Sequence, residues 1–196
     1  MNLPEPDPDP AEIDDLTSAI AATLHTARGQ LGLSVSALAD RSGVSRAMIS
    51  RIERGGAQPT AVLLGRLSGA LGMSLSELLA RAEGEPRRLV RADDQIRWTD
   101  PETGYVRRAV SPAPGGPLEL VEVELPAGAV VAYPAESYAF NHHQLWVLAG
   151  RLHFREGEVV HELGPGDCLQ LGAPQDCAYE NRTGRPCRYL VALARR

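Results

Sequence analysis

Apolar side chains recur every three or four positions up to about residue 83, which is the spacing of amphipathic helices. This spacing predicts a first helix over about 15–31, with a buried stripe of Leu16, Ile20, Leu24, Ala27 and Leu31. Thr60 is a good N-cap for a helix over 61–71, and Ser74-Leu75-Ser76-Glu77 is a capping box that opens a last helix ending near residue 84. With the two helices described next, the pattern predicts one all-α domain of five helices.

The stretch 33–55 contains two short helical faces separated by a tight connector. The first face consists of Val35, Leu38 and Ala39, and the second consists of Met48, Ile49 and Ile52. Gly43 in the connector can adopt the positive φ that favours a helix C-terminus, and Ser45 is a good N-cap for the second helix. Two helices joined by so short a turn form a helix-turn-helix motif.

After residue 84 the helical period disappears, and short alternating segments with Pro/Gly turns replace it. The pattern predicts a hairpin of 96–98 and 105–110, and further strands at 118–125, 129–133, 145–148, 151–155, 159–162, 168–171, 178–181 and 188–193. Strands so short and numerous are typical of a closed barrel or a double-sheet roll. We therefore expect a disordered, acidic, Pro-rich tail over 1–14, a helical domain over 15–83, a linker over 84–95 and a β domain over 96–196.

Charge is unevenly distributed along the 196 residues, whose formal net charge is −5. Residues 17–83 carry seven Arg and four acidic residues, so the helical domain is basic. A basic domain inside an acidic chain suits nucleic-acid binding by that domain alone.

The N-terminal sequence has neither the basic region nor the apolar core of a signal peptide. No apolar run approaches the roughly 20 residues of a membrane helix. Three cysteines do not suggest a disulfide framework. These features predict a soluble cytoplasmic protein with no membrane partner.

The helix-turn-helix stretch resembles the Cro/CI-type (XRE) family of transcriptional regulators. The resemblance runs without a gap from 33 to 55 and on through Gln58-Pro59-Thr60, and it includes Leu38-Ala39, Gly43-Val44-Ser45, Ile49-Ser50 and Ile52-Glu53-Arg54-Gly55. It implies binding of double-stranded DNA through the second helix. The alternative is an ordinary helical hairpin with a solvated Arg face.

By position in that family, Arg46 and Ala47 would read base edges, and Ser50 lies one turn further. Arg46 can make a bidentate contact with guanine, and Ala47 can offer its methyl group to thymine. The candidates for phosphate contacts are Ser34, Ser36, Ser45, Arg51, Arg54, Gln58 and Thr60. Because one such helix covers few base pairs, the resemblance implies a homodimer on an inverted repeat.

Two landmarks in the β domain resemble the cupin motifs. They are Val147-Leu148-Ala149-Gly150-Arg151-Leu152, and Leu163-Gly164-Pro165-Gly166-Asp167 followed by Glu180-Asn181. The expected fold is therefore α+β multidomain, with a five-helix domain followed by an all-β cupin roll. The family precedent is that such a roll binds a small-molecule effector and supports dimerisation.

The metal-ligand positions of typical cupins, two His and a Glu followed by a distant His, are altered here. His143 stands at the Glu position, Glu136 and Tyr138 lie near the two His positions, and Cys177 replaces the last His. Two hypotheses remain open, besides an empty structural roll. Glu136, His143 and Cys177 could form an altered site for a divalent metal such as zinc. Alternatively, an organic effector could be lined by Tyr133, Glu136, Tyr138, Phe140, His143, Gln144, Trp146, Cys177 and Tyr179.

Cys168, Cys177 and Cys187 also raise the hypothesis of a redox switch, although free cysteines are most often small buried apolar residues. The sequence as a whole favours a non-enzymatic, ligand-responsive transcriptional regulator, and we expect a repressor. The alternatives are a cupin metalloenzyme with a helical accessory domain, as in epoxidases acting on phosphonates, and a DNA-binding antitoxin.

Overall fold

The computed structural model describes residues 10–82, 88–112 and 118–195. Within these residues the helices are α1 (Pro10–Gln30), α2 (Val35–Ser42), α3 (Arg46–Glu53), α4 (Ala61–Ala70) and α5 (Leu75–Ala82), which confirms the five predicted. α1 begins at Pro10 and not near residue 15, since proline suits the first turn of a helix, where the backbone needs no N–H donor. Residues 10–14 were therefore wrongly assigned to the tail, whose residues 1–9 lie outside the described ones.

Local capping fixes the helix-turn-helix geometry. The Ala37 N–H donates to the Ser34 hydroxyl at 3.0 Å, and the Met48 N–H donates to the Ser45 hydroxyl at 3.2 Å. Gly43 ends α2 with φ 66°, so the connector turns as the sequence predicts.

The helical core consists of the fully buried side chains Ile20, Leu24, Leu38, Ile49, Ile52, Leu64, Leu67 and Leu78. No single described helix is long and apolar enough to cross a membrane. α4 and α5 pass that test only when taken together, and the chain bends by 95° between them.

The described strands are β1 (Arg97–Thr99), β2 (Val106–Ala109), β3 (Leu118–Leu125), β4 (Val130–Tyr133), β5 (Asn141–Ala149), β6 (Leu152–Glu156), β7 (Val159–Leu163), β8 (Cys168–Gln170), β9 (Cys177–Glu180) and β10 (Cys187–Arg195). They form a six-stranded sheet in the order β1-β2-β3-β10-β5-β8 and a four-stranded sheet in the order β4-β9-β6-β7. Every pairing among them is antiparallel. This is the predicted double-sheet roll.

Strand alternation decides which side chains enter the roll. On β5, Asn141, His143, Leu145 and Val147 are buried, whereas His142, Gln144 and Trp146 are exposed. The predicted linker 84–95 lies partly outside the described residues, and its described part contains a 3-10 turn, Ala92–Asp94.

The two domains are joined by polar contacts. The Ala61 N–H at the start of α4 donates to the buried Asp100 carboxylate at 2.9 Å, and Arg107 donates to the Ser76 hydroxyl of α5. The Ser137 hydroxyl donates to the Gly65 carbonyl at 3.3 Å. α4 therefore packs directly on β4 and on the 3-10 turn Ala135–Tyr138 of the roll.

Gly65 of α4 packs against Tyr133 of the roll without room for a side chain, and its replacement tests the contact. A Cβ there would lie 2.6 Å from Cδ1 of Tyr133. We expect Gly65→Ala to destabilise the interface by about 1–3 kcal/mol through overpacking, although alanine is the better helix former. The measurement is urea unfolding, with Gly29→Ala of α1 as control, because a Cβ at Gly29 would meet nothing within 4 Å. Equal stability of the two variants would contradict close packing at Gly65.

Candidate nucleic-acid interface and interior cavity

The outer face of α3 is basic and exposed. Arg46, Ala47, Arg51 and Arg54 are exposed, while Ile49 and Ile52 of the same stretch are buried in the helical core. The Arg51 Nε donates to the Gly56 carbonyl at 2.8 Å, which leaves its terminal nitrogens available. This face can present three guanidinium groups to a polyanion.

The first turns of α2, α3 and α4 contain no acidic residue. Their partial positive charge is therefore not neutralised locally, and backbone N–H groups at such ends suit phosphate oxygens.

The residues predicted to contact phosphates differ in the hydrogen bonds that their side chains form and in their exposure. Ser34, Ser45 and Thr60 are N-caps whose hydroxyl oxygens accept backbone hydrogen bonds, which leaves each O–H free to donate. Thr60 is half-buried, as is Ser50, a predicted base contact; Ser36 and Gln58 are exposed. None of the ten predicted DNA contacts is buried.

A cavity of about 530 Å³, part of which is its open mouth, occupies the interior of the roll. Its lining consists of Ser74, Leu75, Ser76, Tyr105, Arg107, Val123, Val131, Tyr133, Ser137, Tyr138, His143, Tyr179, Tyr189, Val191 and Leu193. Ser74, Leu75 and Ser76 form the N-terminal end of α5. The helical domain thus supplies part of the wall of the cavity.

The polar groups of the cavity are few and mostly buried. Arg107 is 9% exposed, and its described hydrogen bond is the one to Ser76. The Tyr133 and Tyr138 hydroxyls are buried; that of Tyr133 lies beside Tyr105, and that of Tyr138 lies beside Tyr179 and the Cys177 thiol. Burial raises the pKa of both phenols, so they remain protonated donors at neutral pH. The His143 ring lies 5.0 Å from the Tyr138 ring between centroids, and its Nδ1 is 3.2 Å from the Asn141 carbonyl.

Of the predicted effector contacts, Tyr133, Tyr138, His143 and Tyr179 line this cavity. Cys177 lines a smaller adjoining cavity of about 220 Å³, which His143 and Tyr138 also reach.

Glu136, Phe140, Gln144 and Trp146, which were also predicted to contact the effector, do not line this cavity. Gln144 and Trp146 alternate with inward residues of β5, and the Gln144 amide donates to the Gln170 side chain outside the roll. Phe140 is 41% exposed. Glu136 is exposed on the 3-10 turn that faces Gly69 of α4.

The three residues predicted to bind a metal are not brought together in the structure. His143 and Cys177 share the small cavity, but Glu136 faces away from it, and among the described residues no three His, Cys, Asp or Glu side chains form a metal-binding cluster. Burial also raises the pKa of the Cys177 thiol to about 11. The predicted site at Glu136, His143 and Cys177 is therefore not formed.

The structure contains no disulfide between the cysteines. All three are free; Cys177 and Cys187 are buried, and burial raises the pKa of the Cys187 thiol to about 11 as well. Cys168 is exposed on β8.

Sequence reasoning missed Tyr105, Arg107 and Tyr189 as cavity residues. Tyr105 immediately precedes β2 and Arg107 lies on it two positions later, so alternation puts both side chains on the same face. That spacing was visible in the sequence, but only the pairing of Arg107 with Val123 identifies the face as the interior.

Known proteins resemble the helical domain in sequence and nearly the whole chain in fold. The model of the HTH_3 helix-turn-helix family matches residues 24–78. The HTH-type transcriptional regulator SutR of Escherichia coli (strain K12) is 34% identical over 68 residues, which are 35% of this chain and only 38% of SutR.

Among solved structures, an HTH_3 family transcriptional regulator from Vibrio cholerae superposes with a TM-score of 0.75 over 92% of this chain and 98% of its own, at 24% identity. That likeness establishes the fold. Hydroxypropylphosphonic acid epoxidase from S. wedmorenis, 20% identical over 91% of this chain and 97% of its own, reaches a TM-score of 0.43, which is too low to support an argument about chemistry.

Proposed function

We propose that this chain, whose N-terminal part is an HTH_3 (XRE-type) helix-turn-helix domain and whose C-terminal part is a cupin-type roll, is a sequence-specific DNA-binding transcriptional regulator. The single observation that carries the proposal is the exposed Arg face of α3 in a stretch that matches the HTH_3 family. Arg46 would read a guanine, and the phosphate contacts would be those of Arg51, Arg54 and the helix N-termini.

The roll would sense a small-molecule effector in its cavity. Because Ser74, Leu75 and Ser76 form part of the cavity wall, a ligand there would contact the helical domain directly. An effector that binds more tightly to one placement of α4 and α5 would raise or lower the fraction of molecules that can bind DNA. We assign no enzymatic reaction to the roll, because the metal-ligand set of catalytic cupins is replaced here.

The proposed partner is a second copy of the chain, bound through the outer face of the six-stranded sheet. Trp146 is 48% exposed on that face and lies opposite Leu190. Leu190 in turn lies opposite Glu122 of β3, which pairs with Arg108 and Arg188. The apolar residues Leu120 and Leu118 follow further along that strand, and Leu118 is 53% exposed. A two-fold pair of α3 helices would bind two half-sites about one turn of DNA apart, in the cytoplasm where operators lie. A dimer bound in this way at a promoter would be sufficient for repression, because blocking the promoter requires no contact with another protein.

Selection from random duplex DNA tests this function. The expected product is an inverted repeat, bound by a protein that light scattering measures as a dimer. The Trp146→Asp variant should be monomeric and should bind the full repeat more weakly, while the exposed control Val159→Asp on β7 should remain dimeric. Recovery of no enriched sequence would contradict the function. A dimeric Trp146→Asp protein would contradict only the interface.

A further inference from the structure

We propose that the interior cavity binds a small organic carboxylate through Arg107. This inference rests on the proposed effector function and names the chemical class of the effector.

Arg107 is a buried cation that forms no ion pair with the residues that the structure describes. It is 9% exposed, and the ion pairs with Glu122 on the neighbouring strand are made by Arg108 and Arg188. The cavity lining likewise contains no acidic residue. Burial of a cation without a counterion costs free energy. An anion bound in the cavity beside the guanidinium would reduce that cost. Ser76 accepts one hydrogen bond from a group that has five N–H donors.

Two buried tyrosine hydroxyls add donors to the same space. Tyr138 is 5% exposed, and the two hydroxyls lie beside neutral groups, Tyr105 for Tyr133 and Tyr179 and Cys177 for Tyr138. Oxygen atoms of a bound anion would accept hydrogen bonds from both phenols as well as from the guanidinium.

The charge and lining of the cavity define the class of anion. One guanidinium compensates one negative charge, and its planar fork matches a carboxylate in bidentate geometry. The remaining wall is aromatic and aliphatic, with Tyr189 stacked on Tyr179 at 5.6 Å between ring centroids. The space suits a monocarboxylate with a compact apolar body better than a dianionic phosphate or a cation.

The contact between Arg107 and Ser76 gives this ligand a route to the DNA-binding domain. Ser76 lies in the first turn of α5, and Arg107 lies on β2 of the roll. A carboxylate that draws the guanidinium into the cavity would alter the hydrogen bond between Arg107 and Ser76. The placement of α5 would change with it.

Ligand-induced stabilisation provides the test, with sodium benzoate as probe and benzamide as its neutral isostere. Full-length protein is titrated at constant ionic strength, with sodium chloride as the balancing salt, and Tm and tyrosine fluorescence are recorded. We expect a saturable rise in Tm with benzoate and none with benzamide. Arg107→Met should weaken benzoate binding at least about 10-fold. Arg108→Met is the matched control, since Arg108 pairs with Glu122 on the outer face, and it should bind as the wild type does.

A structural role for Arg107 predicts different results. If its only function were to hold Ser76, Arg107→Met would lower the Tm of the ligand-free protein, whereas removal of an uncompensated buried cation should leave it unchanged or raise it. Benzamide binding as tightly as benzoate, a preference for inorganic phosphate, or no saturable response to benzoate would each overturn the carboxylate site. Operator binding measured in parallel separates the two proposals. A protein that binds DNA but does not respond to benzoate would contradict the carboxylate site and leave the regulator function standing.

Discussion

The Arg46→Ala variant is expected to bind its selected operator about 10- to 100-fold more weakly than the wild type, with little change in stability. Arg46 is the first residue of α3 and is exposed, and none of the described residues forms an ion pair or hydrogen bond with it. Its removal therefore costs the fold almost nothing, since alanine is a good helix residue. A bidentate contact with guanine contributes roughly 1–3 kcal/mol of discrimination, which corresponds to this loss.

Fluorescence anisotropy on the operator and on a copy with the guanine replaced measures the effect. Arg46→Ala should bind the two duplexes with similar affinity. Arg54→Ala, which we expect to lose a phosphate contact, should weaken both about equally and reduce the salt dependence. Arg151→Ala removes the same charge from the exposed turn between β5 and β6 and should change neither affinity. An unchanged preference for the guanine duplex in Arg46→Ala would refute base reading by Arg46.

The helical domain was predictable because its determinants are local. Ser34, Gly43 and Ser45 act within four residues of the helix ends that they define, and buried residues such as Leu38 and Ile49 follow the helical period. β3 was predicted with its observed bounds for the same reason. The N-terminus of α1 was missed because acidic and proline residues suit both a disordered tail and a first helical turn.

The cavity was only half predictable because its walls come from distant parts of the chain. Tyr133, Tyr138 and Tyr179 were predicted as aromatic wall residues and line the cavity. Trp146 was predicted with them, but the register of β5 places it outside. No sequence pattern relates Ser76 of α5 to Arg107 of β2, which are 31 residues apart and meet only after the two domains dock.

The Arg28→Met variant is expected to lose about 1–3 kcal/mol of unfolding free energy, because it removes two charged hydrogen bonds from the partly buried Glu53 carboxylate. Arg28 Nε and Nη2 each donate to a carboxylate oxygen of Glu53 at 2.7 Å, and Nη1 donates to the Leu33 carbonyl at 2.9 Å. The two side chains are 13% and 7% exposed, and they join α1 to the last turn of α3. Arg182→Met, which breaks an exposed pair with Glu180, should cost less than about 1 kcal/mol.

The pH dependence of stability distinguishes this ion pair from simple loss of packing. Burial alone would raise the pKa of Glu53, but hydrogen bonds from Arg28 and His25 outweigh it and lower the pKa below its ordinary 4.5. In the wild type this group therefore stabilises the fold above about pH 4.5, and its contribution is lost as the pH falls through the folded-state pKa. In Arg28→Met burial is opposed by His25 alone, so the pKa of Glu53 should rise and the variant should gain stability, relative to wild type, as the pH is lowered from 7 toward 4. Urea unfolding across that range measures the difference, and a constant gap between the two proteins would mean that Arg28 acts through packing and not through its charge.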